Sequence, residues 1–150
     1  MAGKDLSFFM RKREERIVQA KAPKSITGKN GEAVMMDIRV LEQAEVQKIN
    51  NAYRTTEIAI DERGNPYFND GEILHTTTRD GAKAVRHMIA EALVYPNLKD
   101  SALMEFYECH DITDMPLKVF PDADDYAYVV RVVMAAINGD EKKLLEAAKN

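Results

Sequence analysis

At 150 residues and 17.0 kDa the chain has the length of one compact domain, expected to span residues 1–150. A chain of that size can bury about 70% of the surface its unfolded form exposes. Its 45% hydrophobic and 31% charged content is that of a globular protein, not of a disordered or collagenous one. The longest clean apolar run, residues 132–137, falls far short of the ~20 residues a membrane helix needs, and no membrane contact is expected. The start Met1-Ala2-Gly3-Lys4-Asp5 is too charged for a secretory leader. Cys109, the single cysteine, can neither close an internal disulfide nor complete a zinc cage, so a reducing cytoplasm is the expected compartment.

The net charge of −4 conceals an asymmetry. Residues 1–30 carry eight Lys/Arg against three Asp/Glu, whereas residues 100–125 carry eight acidic side chains and only Lys118. The basic part is short and interrupted by Glu14 and Glu15, and the sequence pI is 5.4. A nucleic-acid-binding domain is usually basic over its whole surface, so no nucleic-acid partner is expected.

The chain divides into a mixed α/β half, residues 1–77, and a helical half, residues 78–150. Residues 5–10 read as one helical turn carrying Leu6, Phe8 and Phe9. Strands are predicted over 17–20 and 34–41; in the second, Met36, Ile38 and Val40 alternate with Asp37 and Arg39. Asn30-Gly31 is a hairpin signal, since both residues tolerate positive φ. A tight turn there would set Met36 opposite Ser25 and Ile38 opposite Pro23, which has no N–H for the ladder. A bulge or longer loop is therefore expected, bringing Val18 and Ala20 to the apolar side. Residues 42–53 read as a helix with Val46, Ile49 and Tyr53 on one face. Residues 54–77, with turn chemistry at Arg63-Gly64-Asn65-Pro66, suggest a second hairpin.

Thr78 is placed to cap a helix with Val85, Met88, Ile89 and Ala92 inward, ended by Pro96. Asp100 caps the next, with Leu103, Phe106 and Tyr107 inward. Behind Asp122, with Asp124 and Asp125 in the first turn, Tyr126, Val129, Val130, Val133, Met134 and Ile137 form a full stripe of period 3.6. Gly139 stops that helix, and Asp140 caps a last one bearing Leu144, Leu145 and Ala148. The fold class is thus α+β: N-terminal β-hairpins and a mainly helical C-terminal half.

Residues that carry chemistry are sparse. Gly28-Lys29-Asn30-Gly31 lacks the spacing and the Lys-Ser/Thr ending of a P-loop. Asp122-Ala123-Asp124-Asp125 lacks the glycine and glutamate of a calcium loop. His75, His87 and His110 present no two-histidine helical face, so no metal or cofactor is expected. Cys109-His110-Asp111 invites a nucleophile reading, but neighbours on a helix point ~100° apart, and Cys109 reads better as a small packing residue. Apolar surface beyond core needs is more informative. Tyr128 and Val132 lie off the main stripe of their helix, which is then either central or part of a groove for another chain's helix. Phe8 and Phe9 form either a docking turn or an anchor onto the core. These four are the candidate partner-binding residues.

Val94-Tyr95-Pro96-Asn97-Leu98-Lys99-Asp100 resembles the signature of the XkdN-like phage tail assembly chaperones, found in phages and phage-like tail elements of Gram-positive bacteria. Phe8-Phe9, Asp37-Ile38-Arg39-Val40-Leu41, residues 103–107 and Ile137-Asn138-Gly139 match further pieces in order. Two positions depart: the family's frequent glycine after the tyrosine is Glu108 here, and its Gly-Glu-Tyr is Asp124-Asp125-Tyr126. The resemblance implies a non-enzymatic factor of the bacterial host cytoplasm, absent from the mature tail. It would bind the tape measure protein and keep it soluble until the tail tube polymerises around it. The tail tube protein and further copies of the chain are additional candidate partners. Two other readings stay open: a completion or connector protein retained in the particle, and a small enzyme using Cys109 or His110.

Overall fold

The computed structural model describes residues 3–149. A 3-10 turn at Leu6–Phe9 is capped by the Asp5 carboxylate, which accepts from the Ser7 N–H at 2.9 Å. Strand β1 (Ile17–Lys21) then pairs antiparallel with β2 (Met35–Arg39), Val18 opposite Ile38 and Ala20 opposite Met36, as the apolar pattern requires. The turn at the loop's tip is centred one residue earlier than expected, on Lys29-Asn30: Gly31 N–H donates to the Gly28 carbonyl at 3.1 Å, Gly31 but not Asn30 has positive φ (+78°), and Thr27 is bridged to Ala33. Beneath it, residues 23–26 make a second turn, Ile26 N–H donating to the Pro23 carbonyl at 2.9 Å. Those residues reset the register before Ala22 N–H reaches the Val34 carbonyl at 2.8 Å.

Helix α1 (Gln43–Ala52) buries Ile49, with Val46 and Tyr53 half-buried. The weakly patterned tract after it is a β-arm. Strand β3 (Arg54–Ile58) pairs with β6 (His75–Arg79), and between them lies a short hairpin of β4 (Phe68–Asn69) and β5 (Glu72–Ile73). Threonines suit a pleated strand, and here they face one another: Thr55 Oγ1 lies 3.0 Å from that of Thr78, and Thr56 Oγ1 3.4 Å from that of Thr77. Asp70 and Gly71, at φ +51° and +82°, close the hairpin with the two positive angles of a type I′ turn.

Helix α2 (Gly81–Ala92) corrects two expectations. Thr78 stays in β6, held by its cross-strand partner, and the cap is Asp80, whose carboxylate accepts from the Lys83 N–H at 3.0 Å. The helix also ends before Pro96: Leu93–Tyr95 form strand β7, antiparallel to the free edge of β2. Proline disfavours the helical region at the residue before it, and Leu-Val-Tyr is strand-forming. The sheet order is β1-β2-β7, with β2 central.

Helix α3 (Ser101–Phe106) starts at Asp100, which accepts from the Leu103 N–H at 3.1 Å. Its inward face is Leu103, Met104 and Tyr107; Phe106, expected inside, is 77% exposed, because the helix is too short to turn more than one narrow stripe inward. A 3-10 turn (Ile112–Asp114) and α4 (Met115–Val119), which the apolar pattern does not announce, bring Met115, Pro116 and Phe120 into the core. Helix α5 (Ala123–Asn138) buries Val129, Val132, Val133, Ala135, Ala136 and Ile137 and is the central helix. Asp124 and Asp125 occupy its first turn; Asp122 stands at its start without a side-chain cap bond. In α6 (Glu141–Lys149) Leu144 is buried, but Leu145, also expected inside, is exposed, because the helix rests on the body along one narrow line. The core joins β2 (Met36, Ile38) to Leu93, Ile89, Leu98, Phe120, Val129 and Val133, and so draws on both halves of the chain.

Helices α3 and α5 end alike. Cys109 N–H reaches the Met104 carbonyl and Glu108 N–H the Glu105 carbonyl; Asp140 N–H reaches Ala135 and Gly139 N–H reaches Ala136. Each is the crossed pair of a Schellman ending, which needs a left-handed residue. After α5 that residue is Gly139 at φ +69°; after α3 it is Glu108 at φ +51°. A glycine in place of Glu108 would sit where this backbone favours it. Left-handed geometry costs a non-glycine residue ~1–2 kcal/mol, partly offset by the greater chain entropy glycine loses on folding. Glu108→Gly is therefore expected to stabilise the fold by about 0.5–1 kcal/mol, read as a higher urea midpoint with an unchanged m value.

Candidate partner-docking surfaces

The segment 94–100 is built chiefly as scaffold. Leu98 is fully buried, and Val94 and Tyr95 lie on the sheet's edge strand with outer surfaces open. Asn97 accepts from the Lys99 N–H at 3.1 Å, and Asp100 caps α3. Lys99 Nζ lies 2.9 Å from Glu91, whose other oxygen is 3.5 Å from His87 Nε2; His87 Nδ1 meets the Tyr53 hydroxyl at 2.6 Å. Arg39 joins the same cluster, 2.9 Å from Glu45 and 3.2 Å from the Glu91 carbonyl. This network ties β2, α1, α2 and the signature segment together. Burial alone would raise the Glu91 carboxyl; Lys99 and His87 outweigh it and hold the group below the usual carboxylate range.

Phe8 and Phe9 face solvent, at 77% and 81% exposure, so neither anchors onto the core. Residues 3–16 are exposed throughout. That segment is fastened by Arg13, which donates to the Val40 carbonyl at 2.6 Å and pairs with Glu42 at 3.4 Å. Tyr128 is half-buried on the wall of a groove of about 460 Å³ between the β1–β2 loop and helices α5 and α6. Its hydroxyl donates to the Lys21 carbonyl at 2.8 Å, and burial pushes the phenol up against the opposing charge of Arg131. Val132, in contrast, is 4% exposed and packs in the core, so it lines no groove: the flank of α5 expected to meet another chain is covered by the protein itself. Cys109 is buried near the end of α3, its thiol donating to the Asp111 carbonyl at 3.2 Å, whereas His110 is exposed.

The β-arm is the surface that the sequence reading missed. Ile58, Ile60, Tyr67, Phe68, Ile73 and Leu74 are 40–64% exposed on it, and every residue of its four strands is exposed. Asp70-Gly71 flanked by Phe68 and Ile73 was the available signal: a type I′ turn between apolar residues. Among the described residues no group of three or more His, Cys, Asp or Glu side chains is placed to hold a metal ion. None of the helices there is long and apolar enough to cross a membrane.

A small α+β body with uncovered apolar side chains on projecting segments is the geometry of a protein-binding factor. The chain belongs to the phage XkdN-like tail assembly chaperone family, whose sequence pattern matches residues 6–149. The fold is shared with the crystal structure of the protein YqbN: 18% identity, a TM-score of 0.65, and coverage of 91% of this chain and 98% of that one. No curated protein matches the chain.

The Glu91 cluster has a pH signature. A carboxyl held below its unfolded value stabilises the fold above the unfolded pKa, and that stability is lost as pH falls through the folded value. Glu91→Gln is expected to cost about 1–2 kcal/mol at pH 7, and the gap to the parent chain should be smaller at pH 3. Urea midpoints of both proteins at the two pH values measure this.

Proposed function

We propose that this protein binds the tape measure protein of its tail through the apolar face of the β-arm and keeps it soluble until the tail tube polymerises around it. The observation that carries this reading is the arm itself. A two-stranded ribbon is marginal in water, yet this one presents six large apolar side chains to solvent. A tape measure protein is a long helical chain, and its unpartnered apolar stripes would self-associate. An acidic protein that covers them reversibly, with a net charge of −4 to keep the complex dispersed, suits that role. No bond-making step is needed, and the place of action is the host cytoplasm. Family membership supports this assignment over that of a small enzyme using Cys109 or His110.

Co-expression with the tape measure protein encoded nearby tests the proposal. The parent chain is expected to raise the soluble fraction of that protein several-fold. Ile60→Ser with Phe68→Ser, both at exposed positions, should abolish the gain while leaving the chaperone folded. Equal insolubility with and without the parent chain would falsify the proposal. Mass spectrometry of purified tails separates the rival reading, since stoichiometric copies there would mark a retained completion or connector protein.

A further inference from the structure

The base of the β-arm carries a charge arrangement that the fold does not need. Asp80 N–H donates to the Tyr53 carbonyl, so the next pair of the ladder, Arg54 opposite Arg79, is of the non-hydrogen-bonded kind, in which facing side chains come closest. Like charges directly opposite one another destabilise a ribbon. Neither guanidinium has a carboxylate partner among the described residues. Arg79 is held by the neutral Asn50 side chain at 2.6 Å. Lys83 adds a third cation, its Nζ 5.7 Å from the centroid of the Tyr53 ring.

These three cations line one open concavity of about 480 Å³ where the arm meets α2. The carboxylate that also lines it, Asp80, is committed to capping that helix, accepting from the Lys83 N–H at 3.0 Å. Asp111, whose charge interacts with that of Lys83, already accepts from both the N–H and the hydroxyl of Thr113. Positive charge is thus concentrated and unanswered here, in a protein that is acidic as a whole.

We infer that this concavity takes the carboxylate of an Asp or Glu on the partner helix, so that the arm selects helices carrying an acid at a set distance from their apolar stripe. The inference rests on the arm as the docking surface and adds to it a rule for which helix is accepted. An apolar face adjoining the cations suits an amphipathic helix, not a nucleic acid, which calls for a surface basic throughout.

The distance follows from the ladder. Side chains alternate along a strand, so Arg54, Thr56 and Ile58 share one face, with Arg79, Thr77 and His75 opposite them. That face runs from the arginine pair, across two threonines, to Ile58, where the exposed apolar side chains of the arm begin. Four residues of strand span about 13 Å. On a helix, positions seven or eight apart lie on the same face, about 11–12 Å along the axis. A helix with an apolar residue on Ile58 therefore brings an acid seven or eight residues away to the arginines, whose long side chains cover the remaining gap. Two guanidinium forks around one carboxylate favour that anion over a neutral residue, and a lysine at the same place would meet three like charges.

Overlapping helical peptides of the tape measure protein encoded nearby, titrated with the full chain by fluorescence anisotropy, test this. The peptides that bind should carry an acid seven or eight residues from an apolar position, and should bind at least about threefold more weakly at about 500 mM salt than at about 50 mM. Arg54→Glu should weaken binding about tenfold yet leave the urea midpoint no lower than the parent's, since it replaces a repelling pair by an attracting one. Replacing the peptide's acid by lysine should weaken binding to the parent chain and restore binding to the Arg54→Glu variant. Undiminished binding by Arg54→Glu, or a loss matched by a fall in its urea midpoint, overturns the inference. If Ile60→Ser with Phe68→Ser abolishes binding while Arg54→Glu does not, the charge rule fails and tape measure binding by the arm stands. No binding by any peptide overturns the inference as well, and the solubility of the co-expressed tape measure protein decides the wider reading separately. Sedimentation of the chain alone that shifts on Arg54→Glu, with peptide binding unaffected, would assign the cations to a second copy and overturn it too.

Discussion

Strand β2 is bonded on both edges, by β1 from before it and by β7 from well after it, and the rest of the molecule is arranged around that fact. Pairing on both sides meets backbone polar groups at the middle of the strand, with one register irregularity against β7 between Asp37 and Ile38, and Met36 and Ile38 are fully withdrawn from water. Leu93, brought opposite Ile38 by the same pairing, extends that apolar row. Helices α2 and α5 then cover it. On the outward side of the sheet, Gln19 donates to Asp37 at 3.0 Å, with Tyr95 next in line.

The polar counterpart is Arg39. Its guanidinium meets Glu45 at the start of α1, the Glu91 carbonyl near the end of α2 and, at 3.6 Å, Glu15 ahead of β1. The hydrogen bond to Glu45 is the main reason its pKa is raised, against the burial that opposes it. A bidentate guanidinium–carboxylate contact fixes direction as well as distance, so it orients α1 against the sheet in a way apolar packing alone does not. Lys99 reaches the carboxylate of Glu91 from the segment 94–100, which explains a lysine at that position without invoking a partner.

Much of this was legible in the amino-acid pattern. The register of β1 and β2 followed from the alternation in Met36-Asp37-Ile38 and from the missing N–H of Pro23. The long stripe of α5 and its glycine stop were equally plain. The misses share a cause: each depended on a distant neighbour. Leu93–Tyr95 becomes a strand because β2 has a free edge, which no local window contains. Thr78 is drawn from a cap into a ladder by Thr55, far away in sequence. Val132 looked like spare apolar surface because the residues that cover it come from elsewhere in the chain. The reverse held for Phe106 and Leu145, apolar positions with nothing above them. At the candidate surfaces, the exposure of Phe8 and Phe9 was open from sequence alone; a hairpin over 54–77 was expected, but that its apolar side chains are left uncovered depends on what packs against it, which no local window contains.

The arm leaves and rejoins the body at one place. Asp80 N–H bonds the Tyr53 carbonyl at 3.0 Å, and Arg79 reaches the Asn50 side chain at 2.6 Å. These contacts clasp the base, and every strand residue past them lies in water. Loop-closure entropy grows only slowly with loop length once the ends are held. Insertions, deletions and substitutions beyond the clasp are therefore nearly free of thermodynamic consequence for the body, and this finger can be re-shaped while the palm stays unchanged.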